Sequence, residues 1–283
     1  MFSKFKNNLI IIINNLNNKK LSSIWGTFFV YSVLVSVAIQ FIFLPFIFPQ
    51  YHGGKGMLIG GDWGIYHLRA YVEYIKIIEY GWDAWQLKPQ GWGITGFISA
   101  VYSFFGIPKP YILIPFFSAF HALGALIIVL LIERLEVKRS TAIFSAIPYL
   151  IFPSSLLWVS QILKDVFTLN ASLMVLYGLV ILFGFFKART LKIEIKHYIC
   201  SFSLILFGML ICWFIRPYAL IIILLFIFFI LLVLNISIFI SIIQKTITKR
   251  SALTLLVFQI CLVLTILSIP QTNFSSISDL SNG

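Results

Sequence analysis

Asp62, His67, Lys164, Asp165 and Arg216 are the side chains of this sequence whose types could do chemistry together. Asp62 and His67 stand in its one long stretch without a continuous apolar span, and Lys164, Asp165 and Arg216 at the edges of apolar runs. A carboxylate can take a proton from a hydroxyl, and cations can stabilise an anion that develops beside it. Charges so near hydrocarbon are costly unless paired or snorkelled, which makes each a candidate for function. Asp62 is the hardest to explain structurally, because a Gly60-Gly61-Asp62 turn in water needs no acid for stability. The others have plain alternatives. Asp165 suits the first turn of a helix, Arg216 before Pro217 suits a helix stop, and His67 can be a hydrogen-bonded structural residue. Trp63, Trp82, Trp85 and Trp92 read first as an interfacial belt and second as stacking platforms. His121 reads as a helix–helix contact.

The elements that must position these residues follow from composition. With 60% hydrophobic and 17% aromatic residues and a mean hydropathy of +1.00, 283 residues cannot hide their apolar surface in one soluble core. Runs such as 219–243 are continuously apolar rather than alternating, which selects helices over a barrel. Windows of about 20 apolar residues place spans near 24–48, 110–132, 140–158, 166–186, 198–215, 219–243 and 252–269. The expected fold is all-α: a polytopic bundle of about seven spans in a single membrane domain. Residues 1–23 form a cytoplasmic N-terminal segment, 49–109 a long outer loop with interfacial helices, 110–269 the remaining spans, and 270–283 an outer polar tail.

Charge sets the orientation. Fourteen of the 21 Lys and Arg residues fall in alternate connectors with only Glu133, Glu136 and Glu194 for company, whereas the other connectors mix seven cations with six acids. The positive-inside rule then puts the N-terminus in the cytoplasm and 49–109 outside, so the net charge of +12 is a topology signal and not a nucleic-acid footprint. The lysine- and asparagine-rich stretch 2–20 suits a short helix on anionic headgroups leading into a signal anchor. Cys200, Cys212 and Cys261 lie in expected spans without metal or redox spacing, so no disulfide is expected. Sequons at Asn170 and Asn235 sit at membrane depth and are chance matches.

Within 49–109, Leu68, Tyr71, Val72, Ile75 and Ile78 mark one face of a helix and Arg69, Glu73, Lys76 and Glu79 another, as in a helix lying at an interface. A second helix over 92–105, introduced by Gly91-Trp92-Gly93 and ended by Gly106-Ile107-Pro108, is too short to span comfortably. The topology thus gathers Asp62, His67, Lys164, Asp165 and Arg216 on one membrane face.

The order Gly61-Asp62-Trp63-Gly64-Ile65-Tyr66-His67, amphipathic helix, Pro89-Gln90-Gly91, short helix ending in Phe105-Gly106, then Pro153-Ser154 with Lys164-Asp165, then Arg216-Pro217-Tyr218 resembles the GT-C superfamily of polytopic glycosyltransferases. The likeness is to its protein-mannosyltransferase-like and aminoarabinose-transferase-like branch, and covers about residues 24–270 with loose motifs. It implies a bundle of about seven helices, a polyprenyl-phosphate-linked sugar as donor, a glycan, lipid or protein acceptor, and a bacterial plasma-membrane location. Asp62 takes the position of the catalytic acid. Its role would be to accept the acceptor's proton, with Lys164 and Arg216 stabilising the leaving phosphate and Tyr66, His67, Asp165 and Tyr218 completing the substrate site. Trp63 stands where many relatives carry a second acid, so no metal ligand set is assigned; a divalent cation beside Asp62 and His67 stays open as a cofactor. Relatives are commonly longer, which implies a minimal member, a truncated product or one piece of a split enzyme. The rival class is a non-catalytic subunit of a polysaccharide polymerase, assembly or transport complex; against a transporter stands the lack of any acid at the middle of a span.

Overall fold

A computed structural model describes residues 17–187, 195–243 and 259. The expected span 252–269, the tail 270–283 and most of the N-terminal segment lie outside the described residues. Two compact units divide the chain, Met1–Leu220 and Ile221–Gly283. Of the second, the described residues are the greater part of one helix and Gln259, whose side-chain amide donates to Asn235 Oδ1 at 2.8 Å.

The first unit opens with α1, Leu21–Ala38, which runs on as a π-helix over Ile39–Ile47. Pro45 lies inside that stretch and has no N–H to donate, so wider winding absorbs the interruption without ending the helix. A two-stranded antiparallel hairpin follows, β1 (His52–Gly54) and β2 (Met57–Leu58), a small β element in a chain expected to be all-α. Next come α2 (Asp62–Tyr80), α3 (Gly93–Phe105) and α4 (Ile114–Glu133). Helices α5 (Arg139–Ser145), α6 (Ile147–Ile151) and α7 (Pro153–Ser160) precede α8 (Asp165–Lys187), α9 (Ile195–Ile215) and α10 (Pro217–Ile243).

Leu21–Ile47, Pro110–Glu133 and Asp165–Leu182 are each long and apolar enough to cross a membrane. A fourth crossing results if Arg139–Ile151 and Pro153–Ser160 count as one span, but that pair is bent by 71°. The apolar stretch expected as one span over 140–158 is thus two helical segments with a sharp bend between them. Proline at 153 drives Phe152 out of the helical region, to φ −64° and ψ 137°, and restarts the helix at its own position. The connector between the spans expected at 140–158 and 166–186 is Gln161–Lys164, because Pro153–Ser160 is helical.

Helix α1 packs on α4 and α7, α4 on α8, α8 on α9, and α2 on α3. One apolar core joins α1, α4, α5 and α6 through Phe28, Ala125, Val129, Ala142 and Leu150. A second lies beneath α2 and α3, where Tyr66, Ile94, Ile98, Tyr102, Phe117 and Phe167 interlock. Helix α2 buries Tyr66, Ala70 and Ile77 together with His67 and Glu73, while Leu68 is 63% exposed and Tyr71, Val72 and Ile78 are exposed too. A helix with that arrangement needs apolar surroundings on its outer face.

Candidate functional site

The site begins at a backbone feature. Gly61 has φ 78°, a left-handed conformation that glycine adopts without cost, and it ends the hairpin segment so that α2 can start at Asp62. The Trp63 indole N–H donates to the Leu58 carbonyl at 2.7 Å, tying the first turn of α2 back to β2. An acid in that first turn also complements the helix dipole. One turn on, the Tyr66 hydroxyl donates to Asp62 Oδ2 at 3.1 Å.

Tyr66 and Trp92 form an aromatic floor, with ring centroids 5.5 Å apart. Lys164 Nζ lies 4.8 Å from the Tyr66 ring and 4.2 Å from the Trp92 ring, and the Arg69 guanidinium is also 4.2 Å from Trp92. Such contacts contribute about 0.5–2 kcal/mol each. Lys164 comes from the connector before α8, and Asp165 is the first residue of α8. Arg216, between α9 and α10, pairs with Asp165 at 3.2 Å and lies 5.8 Å from the Tyr218 ring. Glycine at 93 lets this end of the fold close up, because a Cβ there would run into the carbonyl of Phe214.

The charges act on one another. Burial pushes the Lys164 ammonium below its usual pKa and Arg216 adds to that, while Asp62 and Asp165 oppose it and Arg69 reinforces it. Burial lifts the Tyr66 phenol well above its usual range, helped by the charge and hydrogen bond of Asp62 and opposed by Arg216. Asp62, Tyr66, Lys164, Asp165 and Arg216 thus converge around one aromatic floor, with Tyr218 beside it. The described ion pairs are Lys76–Glu73, Arg139–Glu133 and Arg216–Asp165, so no described carboxylate pairs with Arg69 or Lys164.

His67 goes elsewhere. Its Nδ1 is 2.9 Å from the Tyr102 hydroxyl and its Nε2 is 3.2 Å from Lys55 Nζ. An ammonium can only donate, so Nε2 accepts and Nδ1–H donates to Tyr102. Burial, then the charge of Lys55, lowers its pKa to about 4, which keeps the ring neutral. It is a wedge between the hairpin, α2 and α3. Among the described residues no group of three or more His, Cys, Asp and Glu is placed to hold a metal ion. Tyr66 engages one oxygen of Asp62, and Asp165 is paired with Arg216.

Four residues were not read as site residues from the sequence. Trp92, weighed in the sequence only as a belt residue or stacking platform, is half of the floor, and Arg69 rests on it. Lys88 donates to the Trp213 carbonyl at 2.6 Å and lies 3.3 Å from the Trp213 ring, and burial lowers its pKa to about 8. Gln161 bridges to the hairpin through both ends of its amide. The belt reading of the tryptophans fares unevenly: the Trp63 and Trp85 indoles donate to backbone carbonyls and Trp92 holds two cations, whereas Trp82 is 53% exposed.

These features define a helical protein with segments long and apolar enough to cross a membrane and an acid–cation cluster seated on aromatic rings. No protein-family model matches the chain, and neither a curated protein nor a solved structure matches it.

Proposed function

We propose that the chain is a membrane glycosyltransferase of the GT-C type. It moves a sugar from a polyprenyl-phosphate donor to a hydroxyl acceptor at the outer face of a bacterial plasma membrane, with its N-terminus in the cytoplasm, seven spans and 49–109 outside. The observation that carries this reading is the meeting of Asp62 with Lys164, Arg69 and Arg216 over the Tyr66–Trp92 floor.

The charge count suits that donor. Three cations face two carboxylates, leaving one positive charge, which complements the single charge of a phosphodiester joining lipid to sugar. In the proposed step the acceptor oxygen bonds to the anomeric carbon as its proton passes to Asp62. The anomeric bond to the phosphate oxygen breaks with its electron pair going to the phosphate. The lipid monophosphate that leaves carries nearly two negative charges, and protonation of Asp62 has by then left two uncompensated cations beside it. The site gains positive charge as the leaving group gains negative charge, the match that favours a transition state over a ground state. Tyr66 holds the carboxylate by the oxygen it donates to, leaving the other for the acceptor. The apolar outer face of α2 suits a helix lying against lipid, where a lipid-borne donor arrives sideways.

Two experiments test this. Purified protein in proteoliposomes is given polyprenyl-phosphate sugars, and cell-envelope glycans and glycoproteins are compared by mass spectrometry with and without the gene. Identical glycans, together with no transfer from any donor, would end the reading. Cysteines introduced at Lys55 and Gln90 are expected to react with impermeant thiol reagents from outside, and ones at Lys138 and Lys192 are not.

A further inference from the structure

The Asp62 and Lys164 segments lie about a hundred residues apart in sequence, and one side chain joins them directly. Gln161 is buried at 2% exposure. Its Oε1 accepts from the Leu58 N–H at 3.1 Å, and its Nε2 donates to the Gly56 carbonyl at 3.3 Å. An amide has one acceptor end and one donor end, and here both are taken by the backbone of a single hairpin. On one side of this bridge, Leu58 is tied through the Trp63 indole to the turn that carries Asp62. On the other side Lys164 follows three residues later, after a tight bond from the Leu163 N–H to the Gln161 carbonyl at 2.9 Å.

The bridge has a fixed base. Ser36 donates to the Val159 carbonyl at 3.2 Å and Gln40 to the Ser160 carbonyl at 2.6 Å, so α1 holds the end of α7 by two bonds that do not involve the hairpin. Ser32, Ser36 and Gln40 follow one another at four-residue spacing and form a stripe on one face of α1. The end of α7 is therefore anchored by bonds that do not pass through the hairpin, and the hairpin, which also packs on the π-helix carrying Gln40, is hydrogen-bonded to it through the Gln161 amide.

We propose that Gln161 is a positioning residue that sets where the Asp62 carboxylate stands relative to Lys164. It touches neither, and it acts through Leu58 and Trp63 on one side and through its own short connector on the other. The inference builds on the proposed reaction for its consequence in catalysis, but its geometric content can be read without any transfer.

The test is the pH profile of Lys164 acetylation, followed by peptide mass spectrometry on the full-length protein in detergent. Lys164 is faced by Asp62 and Asp165, which hold its charge, and by Arg69 and Arg216, which oppose it. If Asp62 withdraws, Lys164 loses one of the two anions that favour its protonated form, so its acetylation midpoint moves to lower pH. Gln161→Met keeps the length and removes both hydrogen bonds. It is expected to shift the midpoint in the direction and by about the amount of Asp62→Asn, as one effect shared by two variants. Combining the two should give no further shift. Gln161→Asn, too short to reach the hairpin with both ends, is expected to behave as Gln161→Met does and serves if that variant folds poorly. An unchanged midpoint in a folded variant, or shifts that add in full, would overturn the proposal. With a working transfer assay, the same variants should lower kcat about tenfold or more while leaving KM for the donor in place, since an ångström of misplacement is felt in the chemical step. Absence of transfer with the Lys164 shift intact would count against the proposed reaction and leave the positioning role standing.

Discussion

Two polar clusters in this molecule are built from opposite materials. In the helix bundle, His121 is fully buried, with Nδ1 2.8 Å from Ser32 Oγ and Nε2 2.8 Å from Ser155 Oγ, and its ring lies against Tyr149. Every partner there is neutral and both ring nitrogens are used. Around Tyr66 and Trp92, by contrast, Lys164 and Arg69 rest on aromatic faces with no described carboxylate of their own, and Asp62 is held by one phenol. This neutral cluster joins helices α1, α4 and α7 with both ring nitrogens partnered, although the hydroxyl of neighbouring Tyr149 is buried without a hydrogen bond among the described residues. On the proposed reading, the surplus cations of the second cluster are kept for an anionic ligand, so saturation, more than burial, separates the two clusters.

The largest expected effect comes from removing the one charge that must accept a proton. Asp62→Asn keeps the shape and the place in the first turn of α2, and it is expected to lower transfer by roughly 10²–10⁴ with donor binding retained. Asp62→Glu should be severely impaired as well, because the added methylene displaces the carboxylate from an acceptor oxygen about 3 Å away. Full activity of Asp62→Asn in a reconstituted assay would place this cluster beside His121 as architecture.

Next come the cations. On the proposed reading, Lys164→Ala and Arg216→Ala each remove a charge-assisted contact to the donor phosphate, worth about 1.5–3 kcal/mol, so donor affinity should fall roughly tenfold to a hundredfold. Arg216→Lys should recover part of this, since a point charge replaces the guanidinium fork but not its geometry. Titration with a short polyprenyl phosphate measures it. Normal affinity in both alanine variants would make these residues snorkelling side chains.

The sequence made some of this legible and hid the rest for identifiable reasons. Helices at 93–105 and 195–215 were visible as apolar runs with glycine or proline at an edge, and the grouping of Asp62, Lys164, Asp165 and Arg216 followed from charge alternation. The 71° break was blurred because hydropathy averaged over a window does not register that Phe152 precedes a proline, although Pro148 and Pro153 were both in view. His67 was grouped with Asp62 because they are near in sequence. On a helix, residues at i, i+4 and i+7 share a face, so Asp62, Tyr66 and Arg69 belong together, and His67, about 100° round from Tyr66, points at Tyr102. The same spacing would have found Arg69. Gln161 had no such signal, since its partners are backbone atoms of a hairpin more than a hundred residues earlier.

His121→Leu sharpens the comparison from the other side. Ser32 keeps its bond to the Phe28 carbonyl at 2.8 Å, so the loss falls chiefly on the Ser155 hydroxyl and on the ring contact with Tyr149. About 1–2 kcal/mol of stability is expected to go, because polar contacts between membrane helices contribute modestly. Transfer per folded molecule should be unchanged. A thermal melt in detergent paired with an assay on the folded fraction separates the two. Loss of activity without loss of stability would mean that the bundle cluster also serves the reaction.

The smallest effect belongs to His67, which sits in the functional segment but is built like the architectural cluster. Its pKa falls from an ordinary 6.5 to about 4 in the fold, through burial first and then the charge of Lys55. Between those values the unfolded chain binds more protons than the native one, so stability rises with pH in that window. The contribution of neutral His67 is fully present above about pH 6.5 and is lost as pH falls toward 4. His67→Asn cannot take up that proton, and it should flatten the dependence of melting temperature on pH across this range while lowering stability at neutral pH. Transfer should persist at neutral pH, because the ring contacts Tyr102 and Lys55 and none of the residues assigned to the phosphate. An unaltered pH slope in His67→Asn would show that the imidazole is not held neutral. A loss of donor binding with the fold intact would return His67 to the substrate site.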